Sequence, residues 1–368
     1  MIRITYGVGA RPNFIKTAPV IEAIRRRPAF SQSIVHTGQH YDPALSEDIL
    51  EDLGFPHPDR FLGVGSGTHA EQTGRVLIEF ERVLLEDTPD LVVVSGDVNS
   101  TLGCALASAK LGIPVAHIEA GLRSFDWTMP EEINRVVTDR LSQYLFTHSP
   151  EAATNLAAEG IDNDRVHYVG NTMIDSLRRL APAAHAREAW KGLRLPEYGY
   201  VLVTLHRPRN VDDPARVTAV ADALIRLAGR APVVFPVHPR TRSRLAGSGD
   251  LDRLADAGVR CLEPAGYLDF LSLQWGAGAV LTDSGGIQEE ASVIGVPCYT
   301  LRRSTERPIT VERGTNVLLG EDLSALAQVE CSDVRTPAAI PLWDGHAGER
   351  VAVVLEEAYG SGVGRAQG

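Results

Sequence analysis

Residues 279–290 read AVLTDSGGIQEE. An apolar run closes on Asp283-Ser284-Gly285-Gly286, and a helical pattern begins at once. A strand feeding a helix through Ser-Gly-Gly offers bare backbone N–H groups and the positive end of a helix dipole to an anion. No P-loop lysine accompanies the turn, and Glu289 and Glu290 follow within what reads as the first helical turn. Strand, turn and helix in this order belong to an open parallel sheet. The ligand should carry phosphate and hydroxyl groups together.

The same unit recurs on both sides of this stretch. Strand candidates in the first half are IRITYGVG, SIVHTG, LVVVSGD, VAHIEA, YLFTHS and VHYVG, with FIKTAPVIEAIRRR and TGRVLIEFERVLLED at helical spacing between them. In the second half they are YVLVTLH, VVFPVH, VRCLEP, AVLTDS and PCYTLR. Alternation of this kind predicts an α/β protein of two doubly wound Rossmann-like domains facing a cleft. Residues 181–199, which lack strong periodicity, separate the halves. The expected division is 1–170, 171–345, and a last helix within 346–368 that packs back on the first domain.

Doubly wound sheets bind ligands outside the carboxyl ends of their strands. Those ends are polar here: Ala10-Arg11, Thr37-Gly38-Gln39-His40, Gly96-Asp97, Glu119, His206-Arg207, His238 and Asp283-Ser284. One such end could be an ordinary cap, but the whole set points to a site.

The 368 residues, 44% hydrophobic and 23% charged, suit a soluble globular enzyme. A net charge of −11 argues against nucleic-acid binding, so an anionic ligand must meet local basic groups. Cys104, Cys261, Cys298 and Cys331 lie far apart without CxxC spacing and read as free thiols of a reducing compartment. Neither a leader nor a membrane-length apolar run is visible, and a cytoplasmic location is expected.

A dinucleotide fingerprint fails: Gly7 and Gly9 have GxG spacing, but Pro12 replaces the third glycine, and HTGQH lacks the ribose-binding acid. Arg11 and Lys16 instead address the start of the first helix. Asp97 and Glu119 end strands, and Glu131 opens a helix. Asp97 could cap a helix near Ser100, and Glu131 could complement a helix dipole. Glu119 has no such role. If the three share one site, mutual repulsion is expected to make them a proton-transfer group. His206 and His238 close strands in the second half, each either a ligand or a hydrogen-bonded structural residue. Their spacing does not match a metal site. The Asp-x-Asp strings at Asp162 and Asp250 fall in polar turns and are set aside.

Glu290, one helical turn beyond Gly286, is placed to accept hydrogen bonds from a diol. A phosphate beside a diol is a ribose nucleotide. With Arg11, Lys16 and carboxylates at the phosphate end, the ligand reads as a nucleotide sugar.

The motifs GARPNFIKTAPV, TGQHYD, SGDVNST, HIEAGLRSFDWTMPEEINR, VGNTMID, VTLHRPRNVDD, VFPVHPRTR, LTDSGGIQEEA and STERP, in this order, resemble those of non-hydrolysing UDP-N-acetylglucosamine 2-epimerases, from about residue 3 to the last helix. The resemblance implies a glycosyltransferase-B type fold and UDP held by the second domain. It implies cofactor-independent interconversion of UDP-N-acetylglucosamine and UDP-N-acetylmannosamine, and a homodimer. By motif, Asp97, Glu119 and Glu131 look like the acid/base group, with His206 beside the pyrophosphate. Arg11, Lys16, His238, Ser284, Gly285, Gly286, Glu290 and Arg307 look like substrate ligands, and Phe270 resembles the residue packed near uracil. Ala10 and Asn13-Phe14 depart from the family pattern, as do Tyr41-Asp42 and the segment after His206-Arg207. The last two bear on substrate activation and predict near-hyperbolic kinetics.

The C2 proton of the sugar is a poor acid. Loss of UDP gives oxocarbenium character at C1 and acidifies it, so the reaction needs fixed positive charge at the diphosphate and carboxylates at the ring. A 2-acetamidoglucal intermediate follows. Alternatives of the same fold are a glycosyltransferase using a UDP-sugar donor and a non-catalytic nucleotide-sugar sensor.

Overall fold

The computed structural model describes residues 1–38 and 50–360. Gln39, His40, Tyr41 and Asp42 of the TGQHYD motif lie outside the described residues. The chain forms two compact units, Met1–Arg179 with Pro341–Gly368, and Leu180–Ile340.

The first unit is built on a parallel sheet of β1 (Ile2–Val8), β2 (Phe30–His36), β3 (Arg60–Phe61), β4 (Leu91–Ser95), β5 (Val115–Ile118), β6 (Tyr144–Thr147) and β7 (Val166–Tyr168). Its strand order is β3-β2-β1-β4-β5-β6-β7. All five residues of β4 are buried, as expected of an interior strand covered by helices on both faces. One helical cover comes from α1 (Arg11–Arg25) and the other from α2 (His69–Asp87) and α3 (Asn99–Lys110). Val76, Phe80 and Leu84 of α2 meet Val92 and Val94 of β4 and Cys104 of α3 in one apolar cluster. Two further helices matter below: α4 (Pro130–Leu141) and α5 (Thr172–Arg187).

The second unit repeats the plan with β8 (Val201–Thr204), β9 (Val233–Pro236), β10 (Arg260–Leu262), β11 (Ala279–Thr282), β12 (Cys298–Thr300) and β13 (Asn316–Leu318), in the order β10-β9-β8-β11-β12-β13. Val201, Val203, Phe235 and Leu281 pack with Val220 and Leu224 of α6 (Pro214–Ala228). The helices α7 (Tyr267–Gly276) and α8 (Gly285–Ile294) carry site residues. The chain then returns to the first unit as α9 (Ala347–Gly360). There α9 lies on α1, and Arg27 pairs with Glu349 at 2.5 Å and Glu356 at 3.0 Å.

Both sheets reverse their winding direction once, between β1 and β4 and between β8 and β11. Chain leaving two such strands diverges to opposite faces and opens a crevice at their carboxyl ends, where ligands of this architecture bind. The polar strand ends Ala10-Arg11 and Gly96-Asp97 fall at the first switch point, and His206 and Asp283-Ser284 at the second.

Two features escape the sequence reading. The edge strands β3 and β13 are two and three residues long, too short for an alternation signal. Residues 181–199 include the end of α5, which continues through Pro182, and a short helix Ala189–Gly192 that buries Trp190. Among the described residues, no helix is long and apolar enough to cross a membrane.

Candidate active site

At the first switch point, Ala10 is the extended residue before α1, and Arg11 and Pro12 open the helix. Asn13 accepts the N–H groups of Gly9 and Ala10, both at 3.0 Å, and donates to the Ser95 carbonyl at 2.7 Å. The unusual Asn13 therefore ties the β1 turn to the end of β4. Arg11 is half-buried at the helix start, and Lys16, one turn on, is buried.

The Lys16 ammonium forms a buried ion pair with Glu119. It also lies against Gly96, where a Cβ would sit 3.1 Å from Nζ in a backbone held at φ +68°. Glycine meets both demands. Glu119 occupies φ +69° immediately after β5, a left-handed conformation that costs a branched or long residue energy and recurs at functional sites. The backbone N–H groups of Glu119 and Ala120 both donate to the Phe146 carbonyl, which holds the turn.

Asp97 does not cap α3, whose preceding residue is Val98. Its carboxylate instead pairs with Arg135 of α4 at 2.5 Å, and its carbonyl accepts from Asn134 at 2.8 Å. Glu131 lies in the first turn of α4, one turn before Arg135. Arg135 also pairs with Glu132, which accepts the N–H groups of Ser124 and Phe125. Burial pushes the Glu132 carboxyl up, but these donors and the guanidinium overcome it and hold it below the usual range. Two of the three carboxylates expected to repel one another are thus paired with cations. Lys16 meets Glu119, and Arg135 meets Asp97.

Behind them sits a buried pair that the sequence reading did not single out. His117 of β5 has Nδ1 at 2.6 Å from Asp139 and Nε2 at 2.8 Å from the Gly96 carbonyl. Asp139 also accepts from Gly121 N–H at 3.1 Å and Arg123 at 2.7 Å. Burial raises the Asp139 carboxyl, yet His117 and Arg123 outweigh burial and keep it below its ordinary value.

At the second switch point, Ser284 precedes α8 in an extended conformation without a side-chain cap. Gly285 is the first helical residue, so Glu289 and Glu290 fall in the second turn and not the first. The apparent conflict between cradle and carboxylates is removed by geometry: neither acid lies against the open N–H groups of the first turn. A Cβ at Gly285 would stand 2.2 Å from Nη1 of Arg307. Arg307 is buried, paired with Glu306 at 2.6 Å and Glu289 at 3.1 Å, and supports the turn from below.

Glu290 is also buried. Tyr267 of α7 donates to its Oε1 at 2.8 Å. With its amide turned nitrogen toward the carboxylate, Gln274 donates to Oε2 at 3.1 Å. Phe270 lies half-buried on the same helix, three residues after Tyr267.

His206 follows β8 by two residues and lies beside Asp283. The fully buried Asp283 carboxylate accepts from His206 N–H, Arg207 N–H and the Asn210 amide, and its Oδ1 lies 3.2 Å from His206 Nδ1. Burial opposes its ionisation, but the His206 donors and the Asn210 amide hold its carboxyl below the usual range. His238 is exposed. Its Nδ1 accepts from Arg240 N–H at 3.3 Å, and its ring centre is 5.8 Å from that of His206.

Two parallel sheets in this strand order, with a Ser-Gly-Gly helix start in the second unit, define a protein of the glycosyltransferase-B architecture. The chain belongs to the UDP-N-acetylglucosamine 2-epimerase family, whose sequence model matches residues 22–356. The UDP-N-acetylglucosamine 2-epimerase of Methanocaldococcus jannaschii is 42% identical over 363 residues, covering 96% of this chain and 99% of that protein. The UDP-2,3-diacetamido-2,3-dideoxy-D-glucuronate 2-epimerase of Pseudomonas aeruginosa is 46% identical over 317 residues, covering 85% and 87%. A crystal structure of the Methanocaldococcus jannaschii enzyme in complex with UDP-GlcNAc and UDP superposes with a TM-score of 0.89 at 40% identity, covering 97% of this chain and 100% of that one.

Proposed function

We propose that this protein epimerises C2 of UDP-N-acetylglucosamine to give UDP-N-acetylmannosamine. The observation that carries the reading is the Lys16–Glu119 pair at the first switch point, with Glu119 held at positive φ, in a chain aligned end to end with an epimerase. The first unit supplies the acid/base groups Asp97, Glu119 and Glu131. The second binds UDP through the Ser284-Gly285-Gly286 turn, Glu290 and His206.

As the C1–O bond to the β-phosphate breaks, its electron pair leaves with UDP, and positive character develops at C1. A carboxylate then removes the C2 proton, and the C–H electrons form the double bond of 2-acetamidoglucal. Return of a proton to the opposite face of C2 and of the phosphate oxygen to C1 completes the isomerisation with no net change in atoms or electrons. The α8 N-terminus and His206 stabilise the departing diphosphate. Lys16 steadies the Glu119 carboxylate. Fixed cations keep the Glu119 and Asp97 carboxylates in place, and that placement makes proton transfer efficient.

The Pseudomonas relative favours a second reading, in which the sugar is a 2,3-diacetamido glucuronate. A proton NMR time course in D2O with each nucleotide sugar separates the two. C2 exchange and a new epimer are expected with UDP-N-acetylglucosamine. Absence of exchange with that sugar, or a strict requirement for an acceptor, would reject the first reading.

A cytoplasmic location accords with the four free cysteines. A homodimer is the proposed assembly, supported by exposed Ile78 and Leu85, seven residues apart on α2, and sedimentation velocity tests it.

A further inference from the structure

We infer that His117, held by Asp139, and Asn134 are positioning residues that set the Asp97 carboxylate for proton transfer. The inference rests on the epimerase reading above.

Three segments must be registered for the acids to act on one carbon: the Gly96–Asp97 turn, the turn after β5, and the start of α4. Helix α4 contacts all of them through side chains spaced at three and four residues, which share one helical face. It carries Glu131 itself. Asn134 donates to the Asp97 carbonyl, and Arg135 holds the Asp97 carboxylate. One turn further, Asp139 takes Gly121 N–H and Arg123 from the loop that follows Glu119. The other Asp139 oxygen fixes His117, whose Nε2 reaches the Gly96 carbonyl. A carbonyl can only accept, so Nε2 carries a proton and donates. The His117 ring is thus a rigid spacer between helix α4 and the backbone immediately before Asp97. It is fully buried and reaches Asp97 through that backbone.

The two bonds of His117 can be removed separately. In His117→Gln the amide nitrogen stands near the place of Nε2 and retains the Gly96 bond. In His117→Asn the shorter amide keeps Asp139 but cannot reach Gly96. A positioning role predicts that His117→Gln keeps kcat within about tenfold of wild type, whereas His117→Asn loses about 100-fold in kcat and C2 exchange together. KM should stay within about threefold, since ground-state binding is untouched. UDP affinity by calorimetry should not change. Asn134→Ala, which frees the Asp97 carbonyl from α4, should reproduce the kcat-specific loss and decides the matter if His117→Asn fails to fold. Equal activity of the Gln and Asn variants, or losses shared by kcat, KM and UDP affinity, would overturn the inference. Wild-type exchange in the same experiment tests the epimerase reading independently.

Discussion

The Asp283 carboxylate holds His206 at two points, accepting its backbone N–H at 3.1 Å and lying 3.2 Å from its ring Nδ1. A ring fixed through Nδ1 turns Nε2 outward, so a buried acid in the phosphate turn sets the orientation of a histidine from a neighbouring strand. Asp283→Asn should therefore slow loss of UDP by about 100-fold, comparable to removing one preorganised donor to a developing anion. Rates of C2 exchange for Asp283→Asn and His206→Asn should agree. A fully active Asp283→Asn would disconnect the pair from the reaction.

Glu290 is engaged by Tyr267 and Gln274, so its carboxylate is already oriented when a ribose arrives. Glu290→Gln is expected to weaken UDP binding by about 1.5–3 kcal/mol, the worth of charged hydrogen bonds. Tyr267→Phe should weaken it by about 0.5–1.5 kcal/mol, because one bond that orients the carboxylate is lost while its bonds to the ribose remain. Calorimetric titration with UDP checks both, and unchanged affinity in the first would reject the ribose assignment.

Glu119→Gln separates stability from turnover. It leaves the Lys16 ammonium buried beside a neutral amide, and breaking a buried pair from one side costs about 3–5 kcal/mol. Lys16→Met combined with Glu119→Gln should recover much of that stability in urea unfolding while C2 exchange stays abolished. Asp97→Asn and Glu131→Gln should suppress exchange with smaller effects on unfolding, as both carboxylates are less buried than Glu119. Near-normal exchange in all three single variants would make the carboxylates structural.

Asp175 gives a pH signature. Burial pushes its carboxyl up to about 6, against hydrogen bonds from the Gly348 and Ala347 backbone at the start of α9. Its Oδ1 is buried with no hydrogen-bond partner among the described residues. The folded chain binds this proton more tightly than an unfolded chain with an ordinary carboxyl near 3.8. Ionisation therefore costs stability: the penalty is absent below about pH 4, grows as the pH rises toward 6, and is constant above. Its full size is on the order of 3 kcal/mol. Asp175→Asn should melt above wild type at pH 7.5, and that advantage should vanish near pH 4. A pH-independent difference in melting temperature would contradict this account.

The strand ends were legible because parallel strands are apolar throughout and stop abruptly at polar residues; LVVVSGD and AVLTDSGG each mark a boundary and a site at once. The Rossmann-like order follows from alternation, and the turn at Ser284 from glycine chemistry. Partnerships across elements were not legible. Nothing near Glu119 in sequence announces Lys16, and Arg135 meets Asp97 only because α4 crosses the end of β4. His117 sits in the middle of an apolar strand, where a histidine reads as core. Asp283 was visible as part of the phosphate turn, but its hold on His206 depends on β8 and β11 being neighbours, which only the fold supplies. The short β13 and the helix running through Pro182 lacked local signals altogether.

The return of the chain as α9 has a consequence for biosynthesis. The second unit, Leu180–Ile340, is one uninterrupted run, whereas the unit bearing Asp97, Glu119 and Glu131 is split into two runs on either side of it. Domains fold largely as units while they emerge from the ribosome. The order here is therefore inverted relative to the gene. Its first 179 residues must wait for α9, with Trp343 donating to the His148 carbonyl and Glu349 meeting Arg27, while the second unit can already be complete. A nonsense mutation a few codons before Trp343 would spare every residue assigned to chemistry and still deprive the half that performs it of its last helix.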